Sequence, residues 1–303
     1  MDVTSTATAA PSVPAPWVRI IDDAAVFPPG NADLADAVAA HAARRAEWFA
    51  ELVGSFVAKD TDVPQIAATE VTSRPALSVI VTGGAGQIRG AANLCRRHDL
   101  TLAGVEIALR DLDDLPGNTR RVSAAVDSAR AEGLLDDEVP VYVELPAQGP
   151  SAGWLAAADE VAAAEFRLKF RTGGLEAHAF PPAAVLAAWI DAALDRETPF
   201  KCTAGLHRAV RHTGAGQGEQ DRFEQHGFLN VQLATRRAFD GSPLDEVVAI
   251  LEQRDGSALA SAAADADLAG ARRWFTSFGS CSVSEPLQDL LALGLLSAPE
   301  LSG

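Results

Sequence analysis

Short β-like runs alternate with alanine-rich helical segments along the 303 residues of this chain, and that rhythm admits few folds. A strand followed by a helix and another strand reads as a parallel sheet with crossover helices. The predicted strands are 18–22, 54–58, 77–82, 103–109, 140–145, 166–172, 199–204 and 274–280. Helices are predicted near 33–52, 62–69, 86–98, 119–132, 153–163, 183–196, 228–253 and 284–295. Eight such alternations point to an α/β fold of the closed (β/α)8 TIM-barrel type rather than an open doubly wound sheet. No repeat or linker interrupts the pattern, so a single domain is expected over 17–303. A disordered tail of Ala, Thr, Ser and Pro is expected over 1–16. The stretch 227–235 has strand-like residues, but it runs on without a turn signal to Gly241 and is predicted helical. The preceding loop, 206–226, is rich in Gly, His, Arg and Gln, and its length suits a lid or binding loop.

Composition excludes some functions. A net charge of -16 argues against a nucleic-acid partner, because such a surface repels phosphate backbones. It says little about small anions, which respond to the local field of a pocket. The three cysteines, Cys95, Cys202 and Cys281, form no CxxC pair and suggest neither a disulfide framework nor a structural zinc site. No apolar run suggests a membrane span of ~20 residues, and the N-terminus does not read as a signal peptide. The expected setting is the cytoplasm, with no membrane partner.

Lysine usage is the informative count. The chain has three lysines, Lys59, Lys169 and Lys201, against 22 arginines. Arg is always protonated, whereas a buried Lys can lose its proton and act as a nucleophile, so a lysine kept in an arginine-rich chain suggests chemistry. Strand parity places two of them. In 166–172, Phe166, Leu168 and Phe170 share one face and Arg167, Lys169 and Arg171 the other. The apolar set should meet the helices and the cationic set the barrel interior. The same alternation turns Lys201 and Thr203 inward, and likewise Glu106, Tyr142 and Glu144. Buried charges must pair or reach water or ligand, and barrel sites lie at the C-terminal strand ends. The charged set is therefore expected at the mouth, although an ion-pair plug with a purely structural role would produce the same pattern. For Arg167, lowest on its strand, the structural role is the expectation.

The adjacent segments LKFRTGG and FKCTAGLH, carrying Lys169 and Lys201, resemble the class I (lysine Schiff-base) aldolase barrels, deoxyribose-phosphate aldolase in particular. The resemblance implies Lys169 on the sixth strand as the imine-forming nucleophile and Lys201 on the seventh as its electrostatic partner. It implies Glu106 on the fourth as acid/base. It covers about 40 residues and departs from the family at Phe170-Arg171, at Glu106 in place of Asp, and in the 206–226 loop. A neighbouring cation and partial burial would both lower a lysine pKa from its free value of ~10.4. Which lysine attacks is left open.

The expected catalytic set is Lys169, Lys201, Glu106 and Glu144; the expected substrate-binding set is Arg171, Thr203, Gly205, His207, Ser280 and Asp23. Thr203–Gly205 and the segment 279–282 follow strands seven and eight, where barrels often hold phosphate. Gly83, Gly84 and Gly86 open a helix and give only a weak anion signal. No HxH or HExxH occurs, so neither metal nor cofactor is expected, with His178, His207 and a carboxylate as the one alternative metal set. His212 and His226 are read as surface residues, Cys202 as core, and Cys281 as a nucleophile only if it faces inward. The partner is then a small carbonyl or phosphorylated substrate, and a homodimer is the candidate assembly. Two other readings stand beside the aldolase. One is a barrel enzyme (phosphoribosyl transferase, isomerase or decarboxylase) that binds an anion electrostatically through Lys169, Arg171 and Lys201. The other is a non-catalytic small-anion binder.

Overall fold

Side chains alternate along a strand, so closing a sheet sorts each strand into an inner and an outer set. The computed structural model describes residues 13–215 and 222–299. Eight parallel strands close into a barrel: β1 (Ile21–Asp23), β2 (Val53–Lys59), β3 (Leu77–Ile80), β4 (Leu102–Ala108), β5 (Val141–Glu144), β6 (Arg167–Arg171), β7 (Phe200–Thr203) and β10 (Phe275–Ser280). Each pairs with its sequence neighbours, and β1 closes the ring on β10. This is the predicted single-domain (β/α)8 barrel, with all eight strands found within a few residues of expectation.

The helices are α1 (Leu34–Ala43), α2 (Val63–Ala68), α3 (Ile88–Arg97), α4 (Leu115–Ala131), α5 (Ala152–Ala163), α6 (Ala183–Asp195), α7 (Phe228–Phe239), α8 (Leu244–Glu252), α9 (Gly256–Ala264), α10 (Leu268–Ala271) and α11 (Ser284–Ala292). The predicted long helix over 228–253 is two helices. Gly241 adopts φ 87° just past the end of α7, and Pro243 then supplies the turn into α8. The first helix is capped by Asp33, whose carboxylate accepts from Ala35 N at 2.9 Å. Contrary to the expectation that no run suggests a membrane span, the stretch Ala177–Asp195 is long and apolar enough for one by length and composition; it contains α6, which buries Leu186, Trp189 and Ile190 in the protein core.

Outward-facing strand residues and the helices share an aromatic layer. Phe170 packs tilted against Phe200 at 4.8 Å and Trp189 at 5.4 Å, and Phe278 stacks on Phe228 at 4.8 Å. Burying each such ring is worth roughly 1.5–3 kcal/mol, so this layer fixes β6, β7 and β10 against the helices and leaves their polar residues facing inward.

Two segments hold more structure than the sequence suggests, one at the N-terminus and one within the chain. The tail predicted over 1–16 falls outside the described residues up to 12, but Val13 is buried and Ala15–Trp17 forms a 3-10 turn with Trp17 buried. Trp17 Nε1 donates to Leu295 O at 3.0 Å, so this segment is part of the folded body. The predicted loop 206–226 contains an antiparallel hairpin, β8 (His212–Ala215) and β9 (Arg222–Gln225), with 216–221 outside the described residues.

Candidate functional site

The inward parity of β1, β4, β5, β6 and β7 brings six charged side chains into one network. Glu106 is its centre. Lys169 Nζ lies 2.8 Å from Glu106 Oε2, and Lys201 Nζ donates to Oε1 at 2.7 Å. Lys169 also reaches Glu144 Oε2 at 2.8 Å, and Arg171 Nε donates to Glu144 Oε1 at 2.7 Å. On the other side Lys201 donates to Asp22 Oδ2 at 2.6 Å. Three carboxylates thus face three cations, a balance that buried charge requires.

Hydroxyls complete the network. Ser78 donates to Glu106 at 2.6 Å, and Ser277 and Ser55 donate to Asp22 at 2.6 and 2.7 Å. The Tyr142 ring lies beside Lys201, 5.1 Å from Nζ. Asp22 and the three serines were missed by sequence reasoning. The signal for Asp22 was available: Ile21 faces the helices, so its neighbour Asp22 must face in.

The lysines do not sit at the mouth. Lys169 is the third residue of β6 and Lys201 the second of β7, and they are 3% and 1% exposed. Nor are their pKa values lowered. Burial disfavours each ammonium, but the carboxylates outweigh it: Glu106 and Glu144 raise Lys169, while Asp22 and Glu106 raise Lys201. The two ammonium groups repel each other, but Glu106 bridges them and the attraction of the carboxylates outweighs that repulsion. Burial opposes the charged form of Glu106 as well, yet Lys169 and Lys201 together hold its carboxyl below the usual range. Lys169 and Arg171 do the same for Glu144.

Arg171 and Thr203 are register partners at the C-terminal strand ends, and both are partly exposed there. Asp23 and Ser280 also end their strands, β1 and β10, and Gly205 follows β7, but each is engaged with other protein groups. Asp23 turns away from the barrel interior toward α1, where it meets His41 Nδ1 at 3.0 Å and Arg44 at 2.6 Å. Ser280, the register partner of Asp23, is buried and gives its hydroxyl to Ser282 O at 2.7 Å. Gly205 is a packing residue. It has φ 76°, and a Cβ on it would lie 2.9 Å from Thr172 O and 3.1 Å from Gly173 Cα. His207 joins the segment after β10, with Nδ1 3.5 Å from both Cys281 Sγ and Glu285 Oε2. Burial lowers its pKa and raises that of the Cys281 thiol.

Arg167 opens β6 at the N-terminal end of the barrel and donates to the Tyr142 hydroxyl at 3.1 Å. His226, read from sequence as a surface residue, is fully buried, with Nε2 2.8 Å from Pro181 O. His178 pairs with Glu176 on the surface. Among the described residues no cluster of three or more His, Cys, Asp or Glu is arranged to hold a metal. Cys202 is core, as its parity indicated.

No family model matches the sequence. No curated protein matches it either. The fold has a solved counterpart in deoxyribose phosphate aldolase from Aeropyrum pernix, described as a tetramer, with a TM-score of 0.55 and 12% identity over 92% of this chain and 93% of that one. The likeness covers nearly the whole of both chains and shows a TIM barrel as the fold.

Proposed function

We propose that this chain is an aldolase-type lyase that makes or breaks a carbon–carbon bond beside a small carbonyl through an imine on Lys169. The observation that carries the reading is the pair of buried lysines on adjacent strands bridged by one carboxylate, Glu106. The fold likeness to an aldolase supports it.

The resting Lys169 is an ammonium, so it must first give a proton to a carboxylate; Glu106 and Glu144 both stand at 2.8 Å. The neutral amine then attacks the carbonyl, and loss of water leaves an iminium. That step returns one positive charge to the same place, so the carboxylates that stabilise the ammonium also stabilise the intermediate. The iminium draws electrons from the adjacent bond as it cleaves or forms, and Glu106 or Glu144 moves the proton. Lys169 is favoured over Lys201 as nucleophile by its connections. Glu144 links Lys169 to Arg171 at the C-terminal strand ends, whereas Lys201 is tied to Asp22 deeper in the barrel. Arg171 and Thr203 would receive an anionic group of the substrate.

The raised pKa of both lysines favours a second reading, in which Lys169, Arg171 and Lys201 act only as fixed charges toward an anionic substrate. Borohydride reduction with a panel of small aldehydes and ketones, read by peptide mass spectrometry, separates the two. A reduced adduct confined to Lys169, with turnover abolished by Lys169→Arg, is the expected result. A folded protein that yields no adduct on Lys169 or Lys201 would sink the imine mechanism and leave the electrostatic one.

A further inference from the structure

The barrel has a second polar opening, at the N-terminal ends of its strands. A cavity of about 220 Å³ lies there, lined among others by Arg19, Arg167, Arg272, Tyr142, Asp22 and Lys201. The arginines come from separate places: Arg19 precedes β1, Arg167 begins β6, and Arg272 precedes β10. Asp22 is the only carboxylate in the lining, and it is engaged by Lys201 and two serines.

The three guanidiniums have no carboxylate partner among the described residues. Arg167 touches only the Tyr142 hydroxyl and ring. Arg272 donates to two backbone carbonyls, Phe275 O at 3.1 Å and Val18 O at 3.0 Å. Burial brings its pKa down to about 10, outweighing the raising effect of Asp22 and Tyr142. A carboxylate partner for even one of these arginines would be the ordinary solution in a chain with 41 acidic residues. Its absence around a shared cavity is a local positive field inside an acidic protein.

We propose that this N-terminal cavity is a binding site for a small oxyanion, held by Arg19, Arg167 and Arg272. Guanidinium groups match phosphate and carboxylate oxygens with paired hydrogen bonds, and three of them suit a multiply charged ion. The volume is below the ~300–1,000 Å³ of pockets for drug-sized ligands, so the occupant is a few heavy atoms across. Because the cavity shares Lys201, Asp22 and Tyr142 with the charged network, an occupant adds negative charge beside Lys201 and holds it as an ammonium. The site does not depend on the imine reading, since no carbonyl chemistry is asked of it.

Tyr142 is the single tyrosine of the chain, so it provides a selective probe. The full chain labelled with 3-fluorotyrosine gives one ¹⁹F resonance, to be titrated with inorganic phosphate and, separately, with malonate. Saturable shifts are expected, with the tighter of the two ions naming phosphate or carboxylate as the physiological class. Arg167→Gln and Arg19→Asn should each weaken binding at least about tenfold, as loss of one charge-assisted contact implies. Asn suits position 19 because the backbone there has φ 53°. Arg19→Asn also leaves the Tyr142 contacts intact and keeps the test open if Arg167→Gln misfolds. A shift that never saturates and is reproduced by sodium chloride at equal ionic strength would overturn the site, as would unchanged affinity in the folded variants.

Discussion

Lys169 and Lys201 are register partners on β6 and β7, and each takes a different oxygen of the same carboxylate. Two ammonium groups this deep in a barrel are tolerated because Glu106 stands between them, with Glu144 and Asp22 outside. Glu106→Gln removes the central negative charge and leaves both cations paired on one side only. Breaking a buried ion pair costs ~3–5 kcal/mol, so the urea midpoint should fall sharply. Adding Lys169→Met to Glu106→Gln should recover part of that loss, because it removes the one positive charge left in excess over Glu144 and Asp22. A double variant less stable than Glu106→Gln alone would mean that Glu106 does not mediate between the lysines.

Acid should destabilise the protein in two stages. Burial lowers His226 from 6.5 to about 4, so between those values the folded chain binds fewer protons than the unfolded one. Stability therefore falls as pH drops from ~6.5 toward 4, by on the order of 3 kcal/mol for this group. Glu106 and Glu144, depressed by their cations against the opposing effect of burial, add a further loss below ~4.3. The raised lysines act at the other end: their contribution is complete below ~10.4 and is lost as pH climbs past their folded values. Urea melts of the wild type and His226→Gln at pH 7.5, 6 and 4.5 test the first stage. The variant should show a flatter decline, and parallel curves would remove His226 from the account.

The barrel was legible because strand–helix alternation and strand parity are properties of the chain itself. Parity put Lys169, Lys201, Glu106, Glu144 and Arg171 on the inner face, and the network contains all five. Their ionisation was not legible. With two lysines adjacent, sequence suggests mutual repulsion; the distances show that carboxylates from other strands intervene, and those distances depend on barrel closure. Mouth placement failed for Lys169 and Lys201, though not for Arg171 and Thr203, because strand length does not reveal which layer a residue occupies. His207 and Ser280, assigned by closeness to strand ends, lie 3.4 Å apart, and their other contacts are Cys281 and Glu285 for the one and Ser282 for the other.

The loops after β6 and β7 touch backbone to backbone through Gly173 and Gly205. A Cβ on Gly173 would lie 2.8 Å from Gly205 Cα, and Gly205 also needs its φ of 76°. Gly205→Ala therefore combines a steric clash with an unfavourable backbone region. A loss of ~1–3 kcal/mol in denaturant stability is expected, the range for overpacking a close contact. Gly84 has φ 78° but nothing within 4 Å of its added Cβ, so Gly84→Ala should lose less, through the backbone alone. Equal losses at the two positions would show that loop contact contributes nothing.

Asp22 and Asp23 are consecutive but serve opposite sides of β1. Asp22 accepts from Lys201, Ser55 and Ser277 inside the barrel, while Asp23 holds His41 and Arg44 outside it. Asp22→Asn keeps the shape but removes a charge from Lys201, whose pKa should then fall. Asp23→Asn should leave Lys201 untouched and lower stability alone, by less than the ~3–5 kcal/mol of a fully buried pair because Arg44 is partly exposed. Differential acylation of the two variants across pH, with peptide mass spectrometry at Lys201, reads the two effects apart. Labelling at Lys201 should begin at lower pH in Asp22→Asn and match wild type in Asp23→Asn. The same onset in both variants would mean that Asp22 does not govern the protonation of Lys201, and that Glu106 alone holds it charged.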